Sequence, residues 1–196
     1  MARWNKITIT GNPTAQDTDG FANDVAAATP GTTLFVLAAT SVGDSLAHKV
    51  IITPSASVTG SYVITGTDAN GQSQTETLAT DTTNAVTSAK YYLTLVSVKS
   101  PSGLSTNTVD IGWTNAVVSS WVKVGPFTGV GMAFGCVKNS GSPTYGVEYC
   151  FADRTAYAHA DVAGETTSQA GTILTPVEAV RLIWSAVGEV TLHGLY

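Results

Sequence analysis

Gly43-Asp44-Ser45-Leu46 holds the sharpest chemical possibility in the chain: a serine hydroxyl on a glycine turn, of the kind that attacks an ester carbonyl. Such a hydroxyl is a weak nucleophile until a histidine takes its proton and a carboxylate orients that histidine. A downstream Asp-x-x-His pair would supply both, and none exists. His159 is preceded three residues earlier by Ala156, and His193 by Val190. Gly-Asp-Ser is also ordinary turn chemistry, so the tetrapeptide reads as a loop between strands and no catalytic residue is assigned.

Metal chemistry fares no better. His48, His159 and His193 stand in unrelated segments, without the i, i+2 or i, i+4 pairing of a metal cage. Asp17-Thr18-Asp19 offers two carboxylates of the type calcium takes, but the later oxygen ligands of a calcium loop are missing, and it reads as a solvated loop. No metal or cofactor is expected. Cys136 and Cys150 flank Asn139-Ser140-Gly141-Ser142-Pro143, which reads as the turn of a hairpin. That register sets Cys136 opposite Gly146 and Cys150 opposite Met132, roughly 13 Å apart along the strands and beyond a disulfide's reach. Two separate thiols that pack as small hydrophobes are expected. Trp113, Trp121 and Trp184 lie in strand patterns and read as core fillers, whereas Trp4 sits on a polar arm between Arg3 and Lys6.

The elements that must carry these residues are strands. Period-2 alternation recurs along the chain, in segments rich in Val, Ile, Thr and Tyr. Ser61–Asp68 and Ser73–Leu78 flank Ala69-Asn70-Gly71-Gln72, where Asn-Gly predicts a hairpin through a primed turn. Further strands are expected at Thr33–Ala39, Lys49–Thr53, Tyr91–Lys99 and Val109–Trp113. After a junction at Thr114–Ser120 come Trp121–Val124, Gly131–Lys138, Thr144–Phe151, Ala179–Ser185 and Glu189–Leu195. One short helix is expected, Phe21–Ala28, capped at Asp19-Gly20 and stopped by Thr29-Pro30-Gly31. The expected organisation is an N-terminal arm over residues 1–30, a β-sandwich module over 31–115 and a second over 116–196. The class is all-β: one or two antiparallel sandwiches, immunoglobulin-like or jelly-roll-like.

Composition narrows the function. The 196 residues include 9 basic and 14 acidic ones, for a net charge of −5. Charged residues make up 12% of the chain, against roughly 25% in ordinary soluble domains. Thr and Ser together supply about a quarter of the residues, and 43% are hydrophobic. Disorder, a coiled coil and a basic nucleic-acid binder are all disfavoured. Met1 to Lys6 leads into Ile7-Thr8-Ile9-Thr10 without the apolar core of a secretory leader. The apolar runs, such as Leu34–Ala39, fall far short of the ~20 residues that span a bilayer. A soluble chain made in a cytoplasm, contacting neither nucleic acid nor membrane, is expected.

Val63-Ile64-Thr65-Gly66-Thr67-Asp68-Ala69-Asn70-Gly71 followed by Thr75-Glu76-Thr77-Leu78 resembles β-sandwich modules in virion proteins of tailed bacteriophages. Lys90-Tyr91-Tyr92, Leu95-Val96-Ser97-Val98 and Val109-Asp110-Ile111-Gly112-Trp113 fit the same style. So do Tyr145-Gly146-Val147-Glu148-Tyr149, Thr175–Leu182 and Gly188–Leu192 in the second half. The resemblance covers roughly residues 33–196. It implies a capsid decoration (cement) protein on the outer surface of the head, a homo-oligomer (dimer or trimer) whose partner is the major capsid protein or another virion protein. No catalytic, cofactor-binding or metal-binding residue comes with it. Contact is expected through Arg3, Trp4 and Lys6 or through Leu195 and Tyr196. The same modules imply, as alternatives, a tail, collar or fibre-attachment component; exposed Trp or Tyr would suit a glycan-binding module. The tetrapeptide at 43–46 is shared with the lipase and esterase family named for it, whose parallel sheet wrapped in helices these patterns do not provide.

Overall fold

The structure, a computed structural model, describes residues 6–124, 131–152 and 154–195. It is all-β and antiparallel, with 57% of residues in strands and no helix among the described residues. The chain divides into two compact units: an inserted unit, Ala15–Asn115, and a composite unit made of Met1–Thr14 with Ala116–Tyr196. One division falls within the junction read from the sequence; the other cuts through the expected arm.

In the inserted unit β2 (Asp17–Ala26) pairs with β8 (Thr108–Val118), which neighbours β3 (Ala47–Pro54), which in turn pairs with β6 (Val86–Tyr92). A second sheet has β4 (Ser61–Thr67) between β5 (Ser73–Ala79) and β7 (Thr94–Lys99). Strict alternation on β4 buries Tyr62 and Ile64 and leaves Val63, Thr65 and Thr67 half-exposed. Val50, Ile52, Tyr62, Ile64, Leu104 and Ile111 lie at the centre of the core cluster. Each such aliphatic side chain contributes about 1.5–3 kcal/mol on burial.

Several expectations are corrected here. The segment read as a helix is strand β2: Ala22 pairs with Ile111 and Val25 with Val109, across two irregularities, with Asp24 at φ 48°. Two turns of helix are below the length that is stable alone, and β8 supplies hydrogen-bond partners that a helix would forgo. Thr33–Ala39 is an irregular run along β7, held by Phe35 N–H to Val98 O (2.9 Å) and Ser100 N–H to Thr33 O (2.9 Å), with one bridge at Leu34. Tyr91–Lys99 is broken at Leu93, where the chain leaves β6 in one sheet and enters β7 in the other. The Asn-Gly hairpin forms, with Thr67 opposite Ser73, but not through a primed turn. Only Gly71 takes positive φ (77°), and the Asp68 carboxylate accepts the amides of Asn70 and Gln72, both at 2.8 Å.

In the composite unit β1 (Lys6–Gly11), β15 (Val190–Leu195), β10 (Met132–Lys138) and β13 (Gln169–Ile173) form a four-stranded sheet in that order. β12 (Ala156–Ala158), β11 (Thr144–Cys150) and β14 (Ala179–Ala186) form the other. β9 (Val122–Lys123) and the last residues of β8 pair with the far side of β14. The expected arm is therefore partly a strand: Ile7 and Ile9 are buried and Lys6 pairs with Leu195. β10 and β11 are not a hairpin. They belong to different sheets, because Asn139 N–H bonds Glu189 O (2.9 Å) and its amide side chain reaches Thr191 Oγ1 (2.8 Å). This turn thus follows β15 rather than folding β11 back on β10. Cys136 accordingly faces Leu192 and Gln169, and Cys150 faces Ala179 and Ala156.

Candidate functional site

Ser45 is exposed at φ 63°, beside a depression of about 200 Å³ lined also by Ser41, Leu46 and Leu93. The structure reveals a partner that the sequence reading missed: Asp44 Oδ2 meets His48 Nε2 at 2.8 Å, with both side chains buried. Asp44 Oδ1 also accepts Leu46 N–H (3.1 Å), and His48 Nδ1 lies 3.1 Å from Thr114 O. With an oxygen against each ring nitrogen, His48 has no lone pair directed at Ser45. The i, i+4 spacing of Asp44 and His48 is visible in the sequence, but it is not the Asp-x-x-His spacing by which a serine's base is recognised. This cluster fastens the start of β3 to β8; it is not assembled as a nucleophile with its base.

The other candidate groups are dispersed. His159 sets Nε2 3.1 Å from Thr172 O and packs edge-on against Phe134. His193 lies on an exposed sheet position with Nδ1 3.4 Å from Thr8 Oγ1. Among the described residues no three metal-ligating side chains converge. The Asp17 carboxylate accepts Asp19 N–H, and Asn23 donates to Asp19 Oδ2 at 2.5 Å. Hydrogen bonding from Asp17 and then Asn23 holds the Asp19 carboxyl below its ordinary range. Cys136 and Cys150 are buried, unbridged thiols, and burial pushes Cys136 up to about 12 and Cys150 upward as well. Thiols so raised are poor nucleophiles and serve as packing.

The expected contact residues fare differently. Arg3, Trp4 and Tyr196 lie outside the described residues. Lys6 and Leu195 are brought together as register partners on the outward face of the four-stranded sheet. Lys6, Leu195 and Ala133 make one row across three strands; Thr8, His193 and Gly135 make the next. A third row is Thr10, Thr191 and Val137, and β13 adds Thr172 and Ala170. Strand alternation sends the intervening Ile7, Ile9, Phe134, Cys136 and Leu192 inward, which is why the outward rows are small and polar. A shallow depression of about 440 Å³ opens over the first two rows.

Two further surfaces stand out. On the three-stranded sheet of the inserted unit the outward positions are Ser, Thr and Val with Lys99, beside exposed Leu34 (55%) and Val36 (82%). In the composite unit Tyr149, Phe151 and Tyr157 form a half-exposed aromatic cluster with centroids 5.4–5.9 Å apart. On β14, Arg181 bonds Glu148 at 2.6 Å and lies 4.4 Å over the Trp121 ring. No protein-family model, curated protein or solved structure matches the chain.

Proposed function

We propose that this chain is a structural protein of a tailed-bacteriophage virion, a capsid decoration (cement) protein carried on the outer surface of the head. It works by adhesion rather than turnover, as a homo-oligomer that bridges neighbouring subunits of the major capsid protein. The observation that carries the reading is the pair of outward sheet faces, one on each unit, built mainly of Thr, Ser and apolar residues, with Lys6 and His193 on one and Lys99 on the other. Such faces can be covered without the desolvation penalty of burying many charges. A capsid repeats one binding site over its whole lattice, so modest contacts made by an oligomer add up through avidity.

Counting copies per particle and imaging the particles tests this. A copy number that follows the symmetric sites of the head shell, with density on its outside, is the expected result. A small ring-like number at one vertex moves the chain to the tail, collar or fibre attachment, and its absence from particles removes the reading altogether. The Tyr149–Phe151–Tyr157 cluster favours a second reading, a glycan-binding module, since exposed ring faces stack on sugars. Glycan-array binding that disappears in Tyr157→Ala supports that reading; an array without signal rejects it.

A further inference from the structure

We propose that the outward face around Lys6, Ala133, Gly135, His193 and Leu195 binds an acidic, extended segment of a partner protein. This rests on the adhesive reading above and gives the partner a chemistry. Three observations converge on it. The depression of about 440 Å³ falls within the range of side-chain and ligand pockets. Its floor is low because residue 135 is a glycine: a Cβ placed there would meet only Gln169 O, at 4.0 Å. Space for a partner's apolar side chain is therefore built into the middle strand, between Leu195 and His193 on one flank and the next outward positions on the other.

Charge supplies the second argument. The three outward rows carry Lys6 and His193 and no carboxylate, in a chain whose net charge is −5. Among the described residues no carboxylate lies within ion-pair distance of Lys6. The first two rows are thus opposite in sign to the molecule that bears them, so a carboxylate-bearing partner finds a complementary patch there, with Glu189 standing beyond the third row, where Asn139 Nδ2 reaches both its carboxylate and Thr191 Oγ1. A second copy docked face to face about a two-fold axis would bring two cation-bearing patches together, which disfavours that occupant.

The third argument is spacing. The rows around Leu195 and His193 are two residues apart on β15. Alternate side chains of an extended segment have the same separation, so such a segment lays one side chain on each row. A segment whose same-side residues, two apart, are an acid and then an apolar group sets a carboxylate by Lys6 and the apolar group over Gly135.

The test uses the full chain, labelled with nitrogen-15, titrated with acetyl-Glu-Thr-Glu-Thr-Val-Thr-amide and with its counterpart carrying Lys in place of Glu. Saturable amide shifts at Lys6, Ala133, Gly135 and His193, with the acidic peptide alone, are expected. Lys6→Glu should weaken binding about fivefold or more, and added salt should weaken it too. Ala133→Tyr should abolish it by filling the floor. Both positions are exposed, and an unchanged spectrum elsewhere verifies the fold. The proposal is overturned by absent shifts, by an equal response to the basic peptide, by shifts on the inserted unit's face, or by a dimer that Lys6→Glu dissociates. Particle binding separates it from the functional reading. Variants that decorate heads as well as wild type defeat this proposal alone, whereas a chain absent from particles defeats the cement reading and leaves the peptide site standing.

Discussion

In the inserted unit, ionisable side chains terminate on backbone. Glu76 of β5 accepts the amide hydrogens of Ala89 (2.7 Å) and Lys90 (3.2 Å) on β6, and Lys90 Nζ answers with Thr75 O (2.7 Å). Gln74 adds a bond to Tyr91 O at 2.6 Å. β5 and β6 are edge strands of different sheets, so side chains close a seam that no ladder closes. Asp44, His48 and Thr114 O fasten the β3 approach to β8, its neighbour in the sheet. In the composite unit the ion pair of Arg181 and Glu148 is instead stacked on Trp121, and the first two outward rows of the four-stranded sheet carry no carboxylate. With only 12% of residues charged, the chain has few such groups to place. One unit uses them to protect its edges from stray strand pairing, and the other leaves a face open to a partner.

The sharpest way to break the comparison is to damage each interior and watch the other. Trp184 is buried at 1% exposure in the composite unit, and Trp184→Ala should cost about 3–5 kcal/mol there. Calorimetry should then show one transition displaced and a second, from the inserted unit, in place; a single transition that moves as a whole would show that the units melt together. His48→Ala strikes the other side. It takes the imidazole from the Asp44 carboxylate, whose side chain is 8% exposed and which keeps the Leu46 N–H, and should cost about 1–3 kcal/mol in the inserted unit. Asp44→Asn should cost less, since it removes the charge and keeps an oxygen that can accept from His48. Urea midpoints of the two variants and their double mutant measure the coupling.

The seam between β5 and β6 predicts a smaller effect. Glu76→Ala leaves two exposed-edge amides without their acceptor and should cost about 1–2 kcal/mol. The more telling readout is local: Ala89 and Lys90 amides should exchange faster while those of β10 and β15 are unchanged. Uniform acceleration would mean that Glu76 does not act through that seam.

These differences show what the residue pattern carried. Alternation located β3, β4, β5, β10, β11, β14 and β15, since each must hide one face, and that condition is written into consecutive residues. It did not say which strands would pair. Gly131–Lys138 and Thr144–Phe151 look like a hairpin from their spacing, yet the side chain of Asn139 and the Glu189 backbone draw that turn toward β15. Phe21–Ala28 has a helix former's composition, and only the long-range partner β8 makes it a strand. The contact residues show the same division. Lys6 and Leu195 are expected contacts as members of the leading arm and of the chain end, whereas their meeting on one row depends on β1 and β15 pairing across nearly the whole sequence. Asp44 and His48 lay in plain view at i, i+4, but on a non-helical loop that spacing has no fixed meaning until the turn at Ser45 is known.

The smallest predicted effect tests whether the interior of the inserted unit is polar only where it is fastened. Tyr62 is fully buried, its hydroxyl has no hydrogen-bond partner among the described residues, and burial pushes its pKa up to about 12. A phenol whose ionisation is harder in the fold than its ordinary 10.0 supports stability fully below pH 10 and loses that support as pH rises through about 12. Tyr92 is raised in the same direction, by burial and then by Glu76, so the inserted unit carries two such groups. Tyr62→Phe removes an unsatisfied hydroxyl at almost constant volume, and near neutral pH it should be neutral or stabilising by up to ~1 kcal/mol. Its alkaline loss of stability should shrink, to what Tyr92 and the remaining groups supply, when urea midpoints at about pH 8 and about pH 11 are compared. Tyr145, raised to about 12 by burial in the composite unit, should keep its own alkaline dependence in that variant. A destabilised Tyr62→Phe at neutral pH would mean that the hydroxyl has a partner after all, and that the inserted unit uses polar fastening in its centre as well as along its seams.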